Sequence, residues 1–192
     1  MSFAMDRDID KCLKVLRGGG VILYPTDTVW GLGCDATNEK AVSNIFEIKK
    51  RAGSKSLIML VKDDMMLNRF IPDVPSQAWE LIETSEEPMT IIYDKASPSI
   101  AKNCLADDGS VGVRIVKDEF CKTLIHKFGK PIISSSANIS GEDAPALFDE
   151  IDAEIKNKAD HVVEWGQDDY KEAKPSTIIK LSNNGVFKII RR

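Results

Sequence analysis

Five clusters of polar residues punctuate the apolar runs of this chain, and their side chains are of the kinds that hold anions. The first is Tyr24-Pro25-Thr26-Asp27-Thr28-Val29-Trp30-Gly31-Leu32-Gly33, a hydroxyl-rich turn. The second is Lys49-Lys50-Arg51 with Lys55, and the third is Arg114, a lone cation inside Val111-Gly112-Val113-Arg114-Ile115-Val116. Ser134-Ser135-Ser136-Ala137-Asn138 and Lys174-Pro175-Ser176-Thr177 complete the set. Each has an ordinary structural explanation: cations complement a helix C-terminus, and serine turns satisfy their own backbone. Arg114 fits that explanation least, because a guanidinium in a central strand needs an anion or solvent. Together the clusters describe an anion-binding cleft. Three cations from one segment could neutralise a triphosphate, Ser136 and Asn138 could orient it, and Arg114 could clamp a carboxylate bidentately. The residues by themselves reach a phosphorylated or carboxylated small molecule and no further.

Other chemistries lack their residues. Gly31-Leu32-Gly33-Cys34-Asp35-Ala36 satisfies the permissive dinucleotide pattern G-x-G-x-x-A. That pattern needs a strand directly before it and a helix opening inside it, whereas the preceding apolar run ends at Tyr24 and a helix is expected only after Thr37. There is no G-x-x-x-x-G-K-[ST] loop and no G-x-S-x-G elbow. His126 and His161 sit in helical and strand contexts, and Cys12, Cys34, Cys104 and Cys121 form no C-x-x-C pair. The thiols read as reduced and buried in a cytoplasmic protein, with no zinc pattern.

The elements that must position these clusters alternate. Asp8–Arg17 carries Ile9, Leu13 and Leu16 on one helical face, and Gly18-Gly19-Gly20 ends it. Val21–Tyr24 reads as a buried strand closed by Pro25, followed by a polar turn and the Val29–Gly33 stretch. Thr37 or Asn38 caps a helix running to about Lys50. Strands are expected at Ser56–Val61, Met89–Tyr93, Val111–Val116 and Pro131–Ile133, and helices at Asp64–Phe70, Ser76–Thr84, Glu119–Phe128 and Leu147–Lys156. His161–Glu164, Thr177–Leu181 and Val186–Ile190 close the chain as strands, the last two joined through Asn183-Asn184-Gly185. Alternation that ends in a hairpin predicts an α/β domain with a twisted, mixed parallel/antiparallel sheet flanked by helices.

The bulk numbers agree with one such domain. The 192 residues are 43% hydrophobic and 29% charged, with a net charge of −4. A chain of this length forms one domain, residues 1–192, able to hold a core without disulfides. No apolar run approaches a membrane span and the N-terminus is not built as a signal peptide, so a membrane protein, a secreted scaffold and a disordered tail are excluded. The net negative charge argues against a surface that grips nucleic acid throughout, leaving room for a local basic groove.

At the same residues the sequence resembles the YrdC-like family. Tyr24–Gly33 is similar to its Y-P-T-[DE]-T-x-[YFW]-G-L-G signature, Lys49-Lys50-Arg51 to its K-x-R element and Ser136-Ala137-Asn138 to its S-x-N element. Val113-Arg114, Ser140-Gly141 and Pro175-Ser176-Thr177 follow in the expected order, so the resemblance covers nearly the whole chain in its short, catalytic-domain form. It implies a YrdC/RibB-like fold and the activity of L-threonylcarbamoyladenylate synthase. That reaction joins L-threonine, bicarbonate and ATP into threonylcarbamoyl-AMP and pyrophosphate, for threonylcarbamoylation of adenosine 37 in tRNA. The resemblance further implies magnesium with the ATP, partner proteins that transfer the threonylcarbamoyl group, and contact with tRNA. Lys49, Arg51, Ser136 and Asn138 would be catalytic. Lys49, Arg51, Lys55, Ser110, Asn138 and Arg191 would bind ATP, and Thr28, Arg114, Ser136 and Ser176 would bind threonine. No carboxylate nominates itself as a metal ligand.

The chain departs from the family pattern in places. Ser85-Glu86-Glu87-Pro88-Met89-Thr90 stands where many members have a W-P-G-P-x-T turn and keeps only its second proline and threonine, Lys55 and Leu60 replace an asparagine and a histidine, and Trp165–Ala173 keeps little but Gly166 of a glycine-rich stretch. Two alternatives therefore stand beside the synthase. One is a paralogue that binds double-stranded RNA or a ribosome as a nucleotide-binding module; the other is an accessory domain of a carbamoyl-transfer enzyme.

Overall fold

The computed structural model describes residues 3–50, 57–169, 175–181 and 187–191. In chain order the elements are α1 (Phe3–Arg17), β1 (Ile22–Tyr24), β2 (Gly31–Asp35), α2 (Glu39–Ile48), β3 (Ile58–Val61), α3 (Asp64–Phe70), α4 (Ser76–Thr84) and β4 (Met89–Tyr93). Then follow β5 (Val111–Ile115), α5 (Glu119–Phe128), β6 (Ile132–Ser136), α6 (Ala153–Lys158), β7 (His161–Val162), β8 (Thr177–Leu181) and β9 (Phe187–Arg191). A 3₁₀ turn at Lys102–Cys104 precedes β5.

Among the described residues the nine strands form one sheet in the order β7-β1-β2-β6-β3-β5-β4-β8-β9. The pairs β1/β7, β3/β5 and β4/β8 are parallel and the other five are antiparallel, the mixed sheet that the sequence predicts. The helices α1 and α5 pack on each other, α1 against β1, β2 and β7, α2 against β2, and α3 against β3 and β5.

Local chemistry sets most boundaries. The stripe of α1 starts one turn earlier than expected because Met5 joins Ile9, Cys12, Leu13 and Leu16 in the core. Asn38 caps α2 by accepting from the Ala41 N–H at 3.1 Å. Asp118 caps α5, and Gly129 closes it at φ 77°, a left-handed conformation suited to glycine.

Of the other boundaries that differ from expectation, two have a clear cause. The serines after Ile133 are strand rather than turn: β6 continues to Ser136 because Ser134 and Ser136 pair with Gly33 and Gly31 of β2. The helix expected from Leu147 begins only at Ala153. The Glu150 carboxylate instead accepts from the N–H groups of Ala146 and Leu147, winding 147–151 into turns, and Asp152 caps the short α6. The Asn183-Asn184-Gly185 turn lies outside the described residues, although β8 and β9 do pair antiparallel.

Successive residues in a strand face opposite sides, and the two sides of this sheet are treated differently. Met59, Ile91, Val113 and Ile133 belong to the hydrophobic core. Their neighbours Ile58, Leu60, Thr90, Ile92, Gly112, Arg114, Ser134 and Ser136 line one open cleft.

Candidate functional site

The cleft is floored by strands and walled by the turns that leave them. It encloses about 280 Å³ and is also lined by Thr26, Thr28, Pro175, Ser176, Ile178 and Arg191. The two glycines of the dinucleotide-like pattern shape its β2 side. A Cβ on Gly33 would stand 2.6 Å from Tyr24 Cε1, and one on Gly31 would stand 2.8 Å from Ser134 Oγ. The missing side chains let the Tyr24 ring cross β2 so that its hydroxyl bonds Ser134 Oγ at 2.9 Å. These glycines therefore serve strand packing.

Arg114 is the centre of charge in the cleft and is 4% exposed. Its Nη2 lies 3.0 Å from Oδ1 of Asp27, an ion pair in which both side chains are almost wholly buried. Its Nη1 donates to Thr28 Oγ1 at 3.1 Å. Neither Arg114 Nε nor Asp27 Oδ1 has a hydrogen-bond partner among the described residues, so the pair is held by charge rather than by a directed bond. Proton counting fixes the threonines. Thr26 donates its one proton to Val29 O at 2.7 Å, so in its 3.0 Å contact with Thr28 it accepts. Thr28 thus gives its proton to Thr26, and its remaining lone pair is open to a donor on a ligand.

The opposite wall is a second polar cluster. Ser176, 2% exposed, shares a 2.8 Å hydroxyl contact with Thr90, and its carbonyl accepts from Arg191 Nε and Nη2 at 3.2 and 2.9 Å. Burial and the nearby Arg114 charge both lower the Arg191 pKa. Two guanidinium groups therefore face one space, an arrangement that an anion relieves.

The remaining candidates stand elsewhere. Lys49, 2% exposed, donates to the main-chain oxygens of Ser136 and Asn138, the latter at 2.7 Å, and lies 3.4 Å from Asn138 Oδ1. Asn138 Nδ2 donates to Ile139 O and Glu142 O, both at 2.8 Å. Neither residue lines the cleft; both fasten the turn that follows Ser136. Ser110 also lies off the lining and is bound to Asp108 Oδ1 through its N–H and its hydroxyl. Arg51 and Lys55 fall outside the described residues. The structure thus brings together Thr28, Arg114, Ser136, Ser176 and Arg191, and leaves Lys49, Asn138 and Ser110 outside the lining.

A tightly held divalent cation would need carboxylates. Among the described residues no three His, Cys, Asp or Glu side chains group to hold one, and the cleft lining contains none of these types. Asp27, just beneath it, is taken by Arg114. The donor set therefore does not fit a protein-held magnesium ion. The free cysteines offer no nucleophile either: all four are buried, and burial beside Asp118 and Asp27 raises the Cys121 thiol pKa far above its ordinary value.

Asp27, Thr90 and Lys117 are site residues that reading the sequence for binding groups missed. Asp27 had a signal, because a buried lone arginine demands a counter-charge and Asp27 is the carboxylate of the hydroxyl-rich turn. Thr90 had one too, as the threonine kept at the end of the 85–90 turn, whereas Lys117 had none, since its partners in the 85–87 turn are distant in sequence.

Known proteins share this scaffold. The model of the Sua5/YciO/YrdC family, described as "Telomere recombination", matches residues 14–192. A Methanocaldococcus jannaschii protein provisionally named a threonylcarbamoyl-AMP synthase is 34% identical over 177 residues, covering 92% of this chain and 81% of that protein. The structure of P. abyssi Sua5 complexed with L-threonine is 27% identical with a TM-score of 0.77, covering 90% of this chain and 50% of that chain. This chain thus spans about half the length of that protein. The structure of E. coli YciO is 23% identical with a TM-score of 0.83, covering 97% of this chain and 89% of that one, a likeness of fold.

Proposed function

This chain belongs to the Sua5/YciO/YrdC family, and from that premise we propose that it is an L-threonylcarbamoyladenylate synthase. The observation that carries the reading is the pair of guanidinium groups, Arg114 and Arg191, converging with Thr28, Ser136 and Ser176 on one cleft. That set suits a reaction needing no protein nucleophile. The threonine amine and bicarbonate form a carbamate and water; a carbamate oxygen then attacks the α-phosphorus of ATP, and the bond to pyrophosphate breaks. The protein's tasks are to orient two anionic partners and to offset their charge. Arg114 would take the threonine carboxylate, while the lone pair of Thr28 would accept from the amine or hydroxyl of the amino acid. Ser136 and Ser176 would also contact threonine and Arg191 would face the nucleotide, with Arg51 and Lys55 supplying further cations. Lys49 and Asn138 would act by fixing the Ser136 turn, and Ser110 by completing the edge of the nucleotide site. Magnesium would arrive on the ATP phosphates as part of the substrate.

On this reading the product feeds the threonylcarbamoyl modification of adenosine 37 in tRNA through downstream transfer proteins, in the cytoplasm. The four buried free thiols support that setting, and no helix among the described residues is long and apolar enough to cross a membrane. The test is product analysis with ATP, threonine, bicarbonate and magnesium. Bicarbonate-dependent threonylcarbamoyl-AMP is expected from the wild type. Arg114→Lys keeps the charge without the planar fork, so its threonine KM should rise at least about tenfold. A wild type that forms no product overturns the synthase reading; salt-sensitive binding of double-stranded RNA in its place would favour the RNA-binding paralogue.

A further inference from the structure

We infer that Asp27 is the positioning residue of the amino-acid site: it aims Arg114 and couples that aim to the turn before β4. The inference rests on the synthase reading above and deepens it. Asp27 uses its two oxygens in two different ways, one in an ion pair and one in a hydrogen bond. Oδ1 stands 3.0 Å from Arg114 Nη2, and Oδ2 accepts from the main-chain N–H of Lys117 at 3.0 Å. The backbone bond fixes the carboxylate, whose charge holds the guanidinium in place while Nη1 donates to Thr28; Nε has no hydrogen-bond partner among the described residues. Lys117 carries the connection outward, because its ammonium donates to the carbonyls of Ser85, Glu86 and Glu87 at 2.5, 2.9 and 3.3 Å. Those residues lead through Pro88 into β4, where Thr90 touches Ser176 on the far wall of the cleft. One carboxylate therefore ties the Arg114 side of the cleft to the strand that builds the other side.

An amide cannot repeat this. In Asp27→Asn the side chain would offer one oxygen and one NH₂, so either Lys117 N–H or the guanidinium would meet a donor instead of an acceptor. The backbone cannot move away and the side chain can, so the guanidinium turns. Losing the carboxylate also leaves the arginine charge unbalanced, which alone would tighten the hold on an anion. Orientation outweighs it, because a carboxylate clamp depends on the fork being in place.

The experiment compares wild type, Asp27→Asn and Asp27→Glu in steady-state synthesis of threonylcarbamoyl-AMP, with ATP binding measured separately by calorimetry. We expect Asp27→Asn to raise the threonine KM about tenfold to a hundredfold, the scale of one charge-assisted contact. Its ATP Kd should stay within about twofold. Asp27→Glu, which keeps two acceptor oxygens and the charge, should recover part of that loss. A threonine KM for Asp27→Asn that is unchanged or lower overturns the inference, as does an equal loss of ATP affinity, which a general structural defect would cause. A wild type without product overturns the synthase reading and this inference together; a productive wild type with an indifferent Asp27→Asn overturns this inference alone.

Discussion

Replacing Lys49 by methionine separates two roles that a lysine in this position can have. If the ammonium sits on the phosphates, the variant loses nucleotide affinity and keeps its fold. If it fastens the turn after β6, the variant loses stability first. The structure favours the second: the ammonium donates to the carbonyls of Ser136 and Asn138, and the side chain is 2% exposed. Methionine keeps most of the stem and removes the charge. Hydrogen bonds from a charged donor contribute about 1.5–3 kcal/mol each, so two come to about 3–6 kcal/mol. The ammonium no longer has to leave water on folding, which offsets part of this, so we expect a net loss of about 3 kcal/mol.

At about 2–4 °C per kcal/mol for a chain of this length, the melting temperature of Lys49→Met should fall by about 6–12 °C. Thermal unfolding followed by circular dichroism reads this directly, and calorimetry with ATP on the folded variant reads the other role. Retained Ser136 geometry would leave ATP affinity within a few-fold. A melting temperature within about 2 °C of wild type, together with an ATP Kd raised more than about tenfold, would refute the reasoning and put the ammonium on the nucleotide.

Two further substitutions test the scaffold beneath the cleft. Gly33→Ala puts a methyl group 2.6 Å from the Tyr24 ring and 3.1 Å from Ile132 Cγ2, so urea unfolding should show a loss of about 1–3 kcal/mol, and an unchanged midpoint would contradict the packing. Asp118→Asn keeps a good α5 cap while removing a carboxyl whose pKa burial raises above its ordinary value of 3.8. The folded carboxyl holds its proton more tightly than the unfolded one, so wild-type stability falls as pH climbs from 3.8 through the raised value. The melting temperature of wild type minus that of Asp118→Asn should therefore decline across that window; a difference that is flat or rising would show the carboxyl ionised at no cost.

Much of the scaffold was legible because its signals are local. The ends of α3, α4, β4 and β8 follow from caps, periodicity and β-branched runs that act within a few residues. The serine run misled because Ser134-Ser135-Ser136 has turn composition; what makes it a strand is pairing with Gly31 and Gly33, about a hundred residues earlier. The 147–152 stretch misled for the opposite reason. Its helical periodicity is real, but Glu150 reaches back to two N–H groups and closes a tighter turn before the helix can propagate.

The candidate site was legible in kind and not in arrangement, and the reason lies in what a buried cation needs. A guanidinium under 5% exposed must have a counter-charge before any ligand arrives, or the apo protein carries an uncompensated ion. Asp27 supplies it for Arg114, and carbonyl oxygens serve Lys49 in the same way. Residue type marks a side chain as able to hold an anion; it does not reveal whether that side chain is already held by the fold. In the sequence Lys49, in its cationic cluster, and Arg114, alone in an apolar run, both read as anion-binding side chains. One is turned toward backbone oxygens outside the cleft lining, whereas the other lines the cleft with its Nη1 on the Thr28 hydroxyl and its Nη2 beside the Asp27 carboxylate. A cation that lines the cleft is placed to contact a substrate directly, and one tied to the main chain outside the lining is expected to act through its turn. The KM and melting-temperature measurements above are divided along that line.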